Sequence, residues 1–161
     1  MARVLLLVAL VSFLCVGCLE AWWEPTTDIQ PALDFSLQDI NDNTVTLSSY
    51  KNNKAVILFF WNTGCQLCGT EMSTLSDLYP FLSKDGIEIL AVDIGESKQR
   101  VNACLRSLIS SFKVLLDNNV SVASEYHIGG VPTYILINKK GNIVFRGHFF
   151  PASKYKELLL K

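Results

Sequence analysis

A seven-residue apolar run, Ala55-Val56-Ile57-Leu58-Phe59-Phe60-Trp61, leads through Asn62-Thr63-Gly64 into Cys65-Gln66-Leu67-Cys68, where a helical pattern begins. This junction constrains the chain more than any other feature. An uninterrupted apolar stretch of that length suits a central strand buried on both faces, so the sheet needs a layer on each side. The two thiols then fall at the start of a helix, close enough to close into a disulfide, with the first at the positive end of the helix dipole. A helix N-terminus lowers a thiol pKa from about 8.5 to somewhere in the range of about 3.5–7.5. The pattern therefore fits dithiol chemistry. Half of a zinc site and a pair of core cysteines are the competing readings. Zinc would need a second ligand pair at a similar spacing, whereas no second Cys-x-x-Cys is present and His127 and His148 are far apart.

The rest of the chain reads as strands alternating with helices. Phe35-Ser36-Leu37 and Val45-Thr46-Leu47 alternate around Asn41-Asp42-Asn43, a hairpin signal. From Gln66 to about Leu82, Met72, Leu75, Leu78, Tyr79 and Leu82 recur at helical spacing, with Pro80 predicting a kink or early termination. Gly86 ends that segment and Ile87–Val92 reads as a strand. A second helix is expected from Gln99 to about Phe112, with Val101, Cys104, Leu105, Leu108 and Phe112 as its buried stripe. Lys113–Leu116 reads as a short strand or extended segment, and Val120–Tyr126 as a short helix. Tyr134–Ile137 and Ile143–Arg146 form a hairpin across Asn138–Asn142. A last helix is expected from about Ala152, with Ser153 as a possible cap. This order predicts an α/β fold: a mixed sheet flanked by helices on both faces.

The first residues carry a different signal. Arg3 precedes an apolar run from Val4 to about Gly17, the layout of a secretory signal with an h-region short for a membrane span. Cleavage and retention as an N-terminal anchor both remain open, and either exports the domain. Val16-Gly17-Cys18 is similar to a bacterial lipoprotein cleavage box, which makes Cys18 a lipidation candidate. The usual Leu is displaced, with Leu14 one step early and Cys15 in its place. The expected organisation is an export segment at 1–18, a polar linker at 19–30 that includes Glu24-Pro25-Thr26-Thr27-Asp28, and a domain at 31–161. Trp22 and Trp23 suit either a membrane interface or the linker.

Charge and cysteine usage narrow the functional classes. The net charge is −1 with no Arg/Lys run, which argues against a nucleic-acid partner. Of the five cysteines, Cys15 and Cys18 fall in the export segment. The domain keeps Cys65, Cys68 and Cys104. One tight pair plus one leftover cysteine, in an oxidising compartment, reads as a redox pair and a core residue rather than a disulfide scaffold. Cys104 lies on the apolar stripe of the second helix, where a buried thiol is the plain expectation.

These segments together resemble the thioredoxin superfamily, and within it the TlpA/ResA-like exported thiol–disulfide oxidoreductases. The resemblance rests on Leu33–Asp39 with Val45–Tyr50, on Phe60-Trp61 leading to Cys65-Gln66-Leu67-Cys68 and Glu71, on Gly130-Val131-Pro132-Thr133, and on Ile137–Val144. It spans about Pro31 to Gly147. It implies a thioredoxin-like fold with an N-terminal β-hairpin extension. Two positions depart from the family pattern: Gly64 stands where Trp is common, and Gln66-Leu67 lacks the usual Pro.

The resemblance also implies roles. Cys65 is the expected nucleophile and Cys68 the resolving thiol, exchanging electrons through a mixed disulfide. Glu71, three residues after Cys68 on nearly the same helix face, is the expected proton partner of Cys68, against the plainer reading of a solvated helix glutamate. Pro132 is expected to be cis, against an ordinary trans proline. Trp61, Val131 and Pro132 are the expected substrate-binding residues, with the Val131 backbone offering strand-like hydrogen bonds. No cofactor beyond the Cys65–Cys68 disulfide is expected, and His127 is a weak metal candidate. The implied activity is reduction of disulfides in exported proteins, apocytochrome c among them, in the periplasm or on the outer face of the cell membrane. Electrons would come from a membrane dithiol donor, and a membrane tether is expected. A thiol peroxidase and a thiolate copper carrier are the rivals. The first is disfavoured by Asn62, where peroxidases place Thr or Ser, and by the lack of a proline in the preceding strand.

Overall fold

The computed structural model describes residues 30–106 and 111–160. The export segment with Cys18, the linker up to residue 29 and Leu108 of the expected second helix lie outside the described residues. The strands are β1 (Ser36–Asp39), β2 (Thr44–Thr46), β3 (Ala55–Trp61), β4 (Ile87–Ile94), β5 (Lys113–Asp117), β6 (Thr133–Ile137) and β7 (Ile143–Gly147). The helices are α1 (Gln66–Lys84), α2 (Lys98–Leu105), α3 (Ser121–Glu125) and α4 (Tyr155–Leu159). The strands form one sheet in the order β2-β1-β5-β4-β3-β6-β7. β3, β4 and β5 run parallel, while the hairpins β1–β2 and β6–β7 add antiparallel wings.

All seven residues of β3 are buried, as a strand covered on both faces requires. Their side chains alternate between two cores. Ala55, Ile57, Phe59 and Trp61 pack beneath α1, α2 and α4 with Cys68, Met72, Leu75, Val101 and Leu159. Val56, Leu58 and Phe60 face the opposite layer with Val122, Ala123 and Tyr126. β4 follows the same parity: Ile87, Ile89 and Ala91 go to the first core, Leu90 and Val92 to the second. The chain entering β1 is tied to the far edge, since Ile143 N–H donates to the Gln30 carbonyl at 2.8 Å and Ala32 N–H to that of Gly141 at 2.9 Å.

Three local expectations need correction. α1 does not end at Pro80 but runs through it to Lys84. Pro80 is solvent-exposed, and Leu82 beyond it is buried in the same core as Met72 and Leu75, so apolar burial outweighs the lost backbone hydrogen bond. α2 ends at Leu105, and Phe112 sits in the approach to β5 rather than on the helix; it reaches the core by stacking edge-on against Tyr79. α4 starts at Tyr155 with Lys154 at its cap position, so Ser153 does not cap it; Pro151 to Lys154 form a preceding turn instead.

Candidate active site

β3 delivers the chain to the cysteines and α1 carries them. The turn between is closed by Cys65 N–H donating to the Asn62 carbonyl at 3.3 Å. Cys65 occupies the cap position of α1 in an extended conformation, and its sulfur accepts the Cys68 N–H at 3.1 Å. The sulfur thus does what a capping oxygen does, using one of the free N–H groups of the first turn. The same contact and the helix dipole would hold negative charge on that sulfur once the bond is reduced. Cys65 and Cys68 are joined in a disulfide, with Cα atoms 5.2 Å apart. Cys65 is half-buried and Cys68 completely buried, so an incoming sulfur reaches Cys65 first.

Glu71, one turn further along α1, is half-buried and accepts a hydrogen bond from the Tyr134 hydroxyl on β6 at 2.5 Å. Burial, followed by the hydrogen bond and charge of Glu71, pushes the Tyr134 hydroxyl far above its ordinary value, so it stays a donor. Nothing in a local sequence pattern links Tyr134 on β6 to the second turn of α1, so its part in the site is visible only in the fold.

The Val131–Pro132 peptide is cis, as the resemblance implies. Pro132 is buried and Val131 half-buried. His148, just past β7, brings Nδ1 to 2.8 Å from the Pro132 carbonyl, which places a proton on that nitrogen. His127 and His148 both line a cleft of about 330 Å³ beside this loop, with Gly129, Gly130 and Arg146. Trp61 does not fit the substrate-binding role. It is 1 % exposed and packs beneath α1, because residue parity along β3 turns it inward. The exposed apolar surface near the cysteines comes from Leu67, 45 % exposed, between the two thiols. Gly64 is not forced by the backbone: a Cβ there would meet only the Asn62 side-chain oxygen, at an ordinary 3.6 Å. Cys104 is half-buried, and burial, then the charges of Glu96 and Asp93, raise its thiol above the ordinary range. Among the described residues no group of three or more His, Cys, Asp and Glu side chains is arranged to hold a metal ion.

A second set of side chains, unread in the sequence, braces the turn before Cys65. Glu96, in the loop after β4, accepts the Thr63 N–H at 2.6 Å and the Thr63 hydroxyl at 2.7 Å. Arg100 on α2 pairs with Glu96 at 2.8 Å and donates to the Thr63 hydroxyl oxygen at 3.0 Å. Burial opposes the charge on Glu96, but the Thr63 hydrogen bonds, Asp93 and Arg100 outweigh it and hold the carboxyl below the usual range. The one sequence signal was position, since loops at the carboxyl ends of parallel strands line sites in open α/β sheets.

The profile of the AhpC/TSA family matches residues 29–146. The thiol–disulfide oxidoreductase ResA of Geobacillus kaustophilus is 38% identical over 112 residues, covering 70% of this chain and 64% of that protein. ResA of Bacillus subtilis is 33% identical over 140 residues, covering 87% and 78%. The chain therefore spans less than two thirds of the Geobacillus relative. Among solved structures, the exposed lipoprotein thioredoxin of Streptococcus pneumoniae superposes with a TM-score of 0.69 at 25% identity, over 78% of this chain and all of the other. The thioredoxin domain of a thiol–disulfide oxidoreductase from Bacteroides vulgatus gives 0.70 at 24% identity, over 80% and 92%. The family match and the 33% identity to ResA of Bacillus subtilis over most of both chains show that the chain belongs to the AhpC/TSA family, among the thioredoxin-like ResA thiol–disulfide oxidoreductases.

Proposed function

We propose that this protein is an exported thiol–disulfide oxidoreductase that reduces disulfides in other exported proteins. The observation that carries the reading is the asymmetry of the pair: a half-buried Cys65 sulfur at the helix cap and a fully buried Cys68 behind it. In the reduced protein the Cys65 thiolate attacks one sulfur of a substrate disulfide. A mixed disulfide forms and the other substrate sulfur leaves as a thiolate. Glu71 takes the Cys68 proton in this reading, one turn along the same helix, and the Tyr134 hydroxyl donates to its carboxylate. The Cys68 thiolate then attacks the Cys65 sulfur, the second substrate thiolate leaves, and two electrons have passed to the substrate. A dithiol donor at the membrane restores the pair. The substrate backbone lies along Val131 and Pro132, over the cleft beside His148, and needs no cofactor other than the cysteine pair.

The apolar run after Arg3 supports export, and Cys18 would supply a lipid tether to the outer face of the membrane. Among the described residues no helix is long and apolar enough to cross a membrane. Apocytochrome c before haem attachment is the proposed substrate class.

The test is reduction of a protein disulfide such as that of insulin, run on the full chain. Wild type is expected to be active and Cys65→Ser inactive, while Cys68→Ser accumulates a mixed disulfide through Cys65. A Cys65→Ser protein that still reduced insulin would remove the reading. Peroxide consumption and copper(I) binding at the pair are expected to be negative. Trapping thiols in living cells sets the direction: a mainly oxidised pair would make the protein an oxidant rather than a reductant.

A further inference from the structure

Beneath the turn that presents Cys65 lies a carboxyl for which the thiol reaction has no use. Asp93 is 0 % exposed, and the group that meets its carboxyl is Glu96, through its own carboxylate and a backbone N–H. It stands in register with Trp61 on β3, whose indole N–H is buried without a partner among the described residues, and with Leu116 on β5. Residue parity on β4 places it on the α1 side of the sheet, where α1 contributes Cys68, Met72 and Leu75 to the core. The titratable and charged groups acting around it are Glu96 from the following loop and Arg100 and Cys104 from α2. Glu96 is the same carboxylate that takes both Thr63 donors.

We propose that Asp93 is a positioning residue for Cys65, acting through Glu96 and Thr63, and that its ionisation loosens the turn before the reactive cysteine. The geometry supplies the linkage. Glu96 is fixed from above by Thr63, and Thr63 lies in the turn closed by the Cys65 N–H. Neutral, the Asp93 carboxyl can donate to the Glu96 carboxylate; a charge appearing on it would break that contact and repel Glu96 instead, with little screening on the buried Asp93 side. Burial first, then Glu96, push the Asp93 carboxyl up to about 8. Near pH 7 it is mainly neutral, and Glu96 keeps its grip on Thr63. Above pH 8 the charge appears and the clamp weakens. Arg100 acts in the other direction, lowering the cost of the second charge. The device is thus graded, and makes thiol exchange at Cys65 pH-dependent through a group that never touches the substrate.

The inference rests on the thiol–disulfide reading for its consequence, but its first test does not. In the oxidised full-length protein Cys65 and Cys68 do not titrate. The chemical shift of the Thr63 amide, followed by NMR from pH 6 to 10, should show an inflection near pH 8. Its hydrogen-exchange protection should fall about tenfold across that inflection once the intrinsic pH dependence is removed. Asp93→Asn, which keeps the shape and cannot ionise, should abolish both changes. Glu96→Gln should abolish them too, because the charge that Asp93 repels is gone. A Thr63 amide that is flat across this range in wild type, or that titrates unchanged in Asp93→Asn, overturns the proposal.

The second test reads the chemistry. The rate at which dithiothreitol reduces Cys65–Cys68 should follow the reagent's thiolate concentration in Asp93→Asn. In wild type it should depart from that curve by about threefold above pH 8. Identical curves would remove Asp93 from the reaction even if Thr63 titrates. Failure to reduce insulin, by contrast, would remove the proposed function and leave the Thr63 titration standing.

Discussion

β4 carries a buried carboxyl at each end, and the two behave oppositely. Glu88, at the end remote from the cysteines, accepts hydrogen bonds from Lys54 Nζ at 2.8 Å and the Tyr79 hydroxyl at 2.5 Å, with Lys113 Nζ 4.0 Å away. Burial works against its charge, but these partners prevail and hold it below the usual carboxylate range. Asp93, at the cysteine end, meets another carboxylate in place of a cation, and is pushed up to about 8 by burial and by Glu96. Depth of burial is nearly the same, 2 % against 0 % exposure, so depth does not decide the ionisation. The number and sign of neighbours do. The fully partnered end is architecture, and the deficient end lies under the turn that holds the reactive sulfur, where unrelieved cost is tolerated when function uses it.

The contrast breaks most visibly at the partnered end. Glu88→Ala leaves the Tyr79 hydroxyl and the Lys54 ammonium facing a buried space without their acceptor. The expected loss is about 3 kcal/mol in denaturant unfolding at pH 7, below the top of the range for broken buried pairs because Lys54 and Lys113 reach solvent. A loss under about 1 kcal/mol would mean that Glu88 is held no better than a surface ion pair.

The cysteine end should respond with the reverse sign and with pH. The folded carboxyl of Asp93 is raised above its unfolded value, so between pH 4 and 8 the folded state holds a proton that the unfolded chain has lost. Its contribution to stability is therefore fully present below pH 4 and falls as pH rises to about 8. Asp93→Asn removes that penalty. The variant should match wild type near pH 4 and exceed it by about 3 kcal/mol near pH 6, with the gap widening until about pH 8. Glu88 has a depressed pKa, and its contribution is present above its unfolded value and lost as pH falls through the folded one. Unfolding curves for the two variants across pH 3–9 should thus diverge in opposite directions. An Asp93→Asn gain independent of pH would show that packing rather than ionisation separates the two ends.

What was legible in the sequence were the features that depend on near neighbours. The apolar run of β3, the Cys-x-x-Cys at the first turn of α1 and the Gly130–Thr133 loop each carry their own signature, and the mixed sheet followed from their order. Along Ile87-Glu88-Ile89-Leu90-Ala91-Val92 a strand is readable, but Glu88 is only a polar interruption in it and Asp93 falls just beyond it. Their difference depends on Lys54, Tyr79, Glu96 and Arg100, which reach β4 from the approach to β3, α1, the loop after β4 and α2. Trp61 failed for a related reason. The family pattern supplied the residue, but the parity that turns its ring inward is set by which core each face of β3 meets. Pro80 failed because a local rule was outweighed by Leu82 in the core. Arg100 and Thr63 gave no motif at all, since a hydrogen bond between a turn and a helix leaves no periodicity.

Glu71 offers the finest adjustment of the comparison, because it stands between the two ends of β4: half-buried, with the Tyr134 hydroxyl donating to it. If partners govern these carboxyls, removing that donor should leave Glu71 less firmly held. Tyr134→Phe deletes one oxygen from a fully buried ring that still stacks against Phe59 and Phe150. The stability cost should be only about 1 kcal/mol, since the half-exposed carboxylate can turn toward water. The chemistry should respond more clearly. Without the hydroxyl that holds it, the Glu71 carboxylate is free to turn away from Cys68, so insulin reduction at pH 7 should slow by about threefold. Glu71→Gln keeps the shape but cannot take the proton, and should slow it by about tenfold or more. If Tyr134→Phe keeps the wild-type rate while Glu71→Gln slows it, Glu71 acts without its partner, and the rule drawn from β4 stops at fully buried carboxyls.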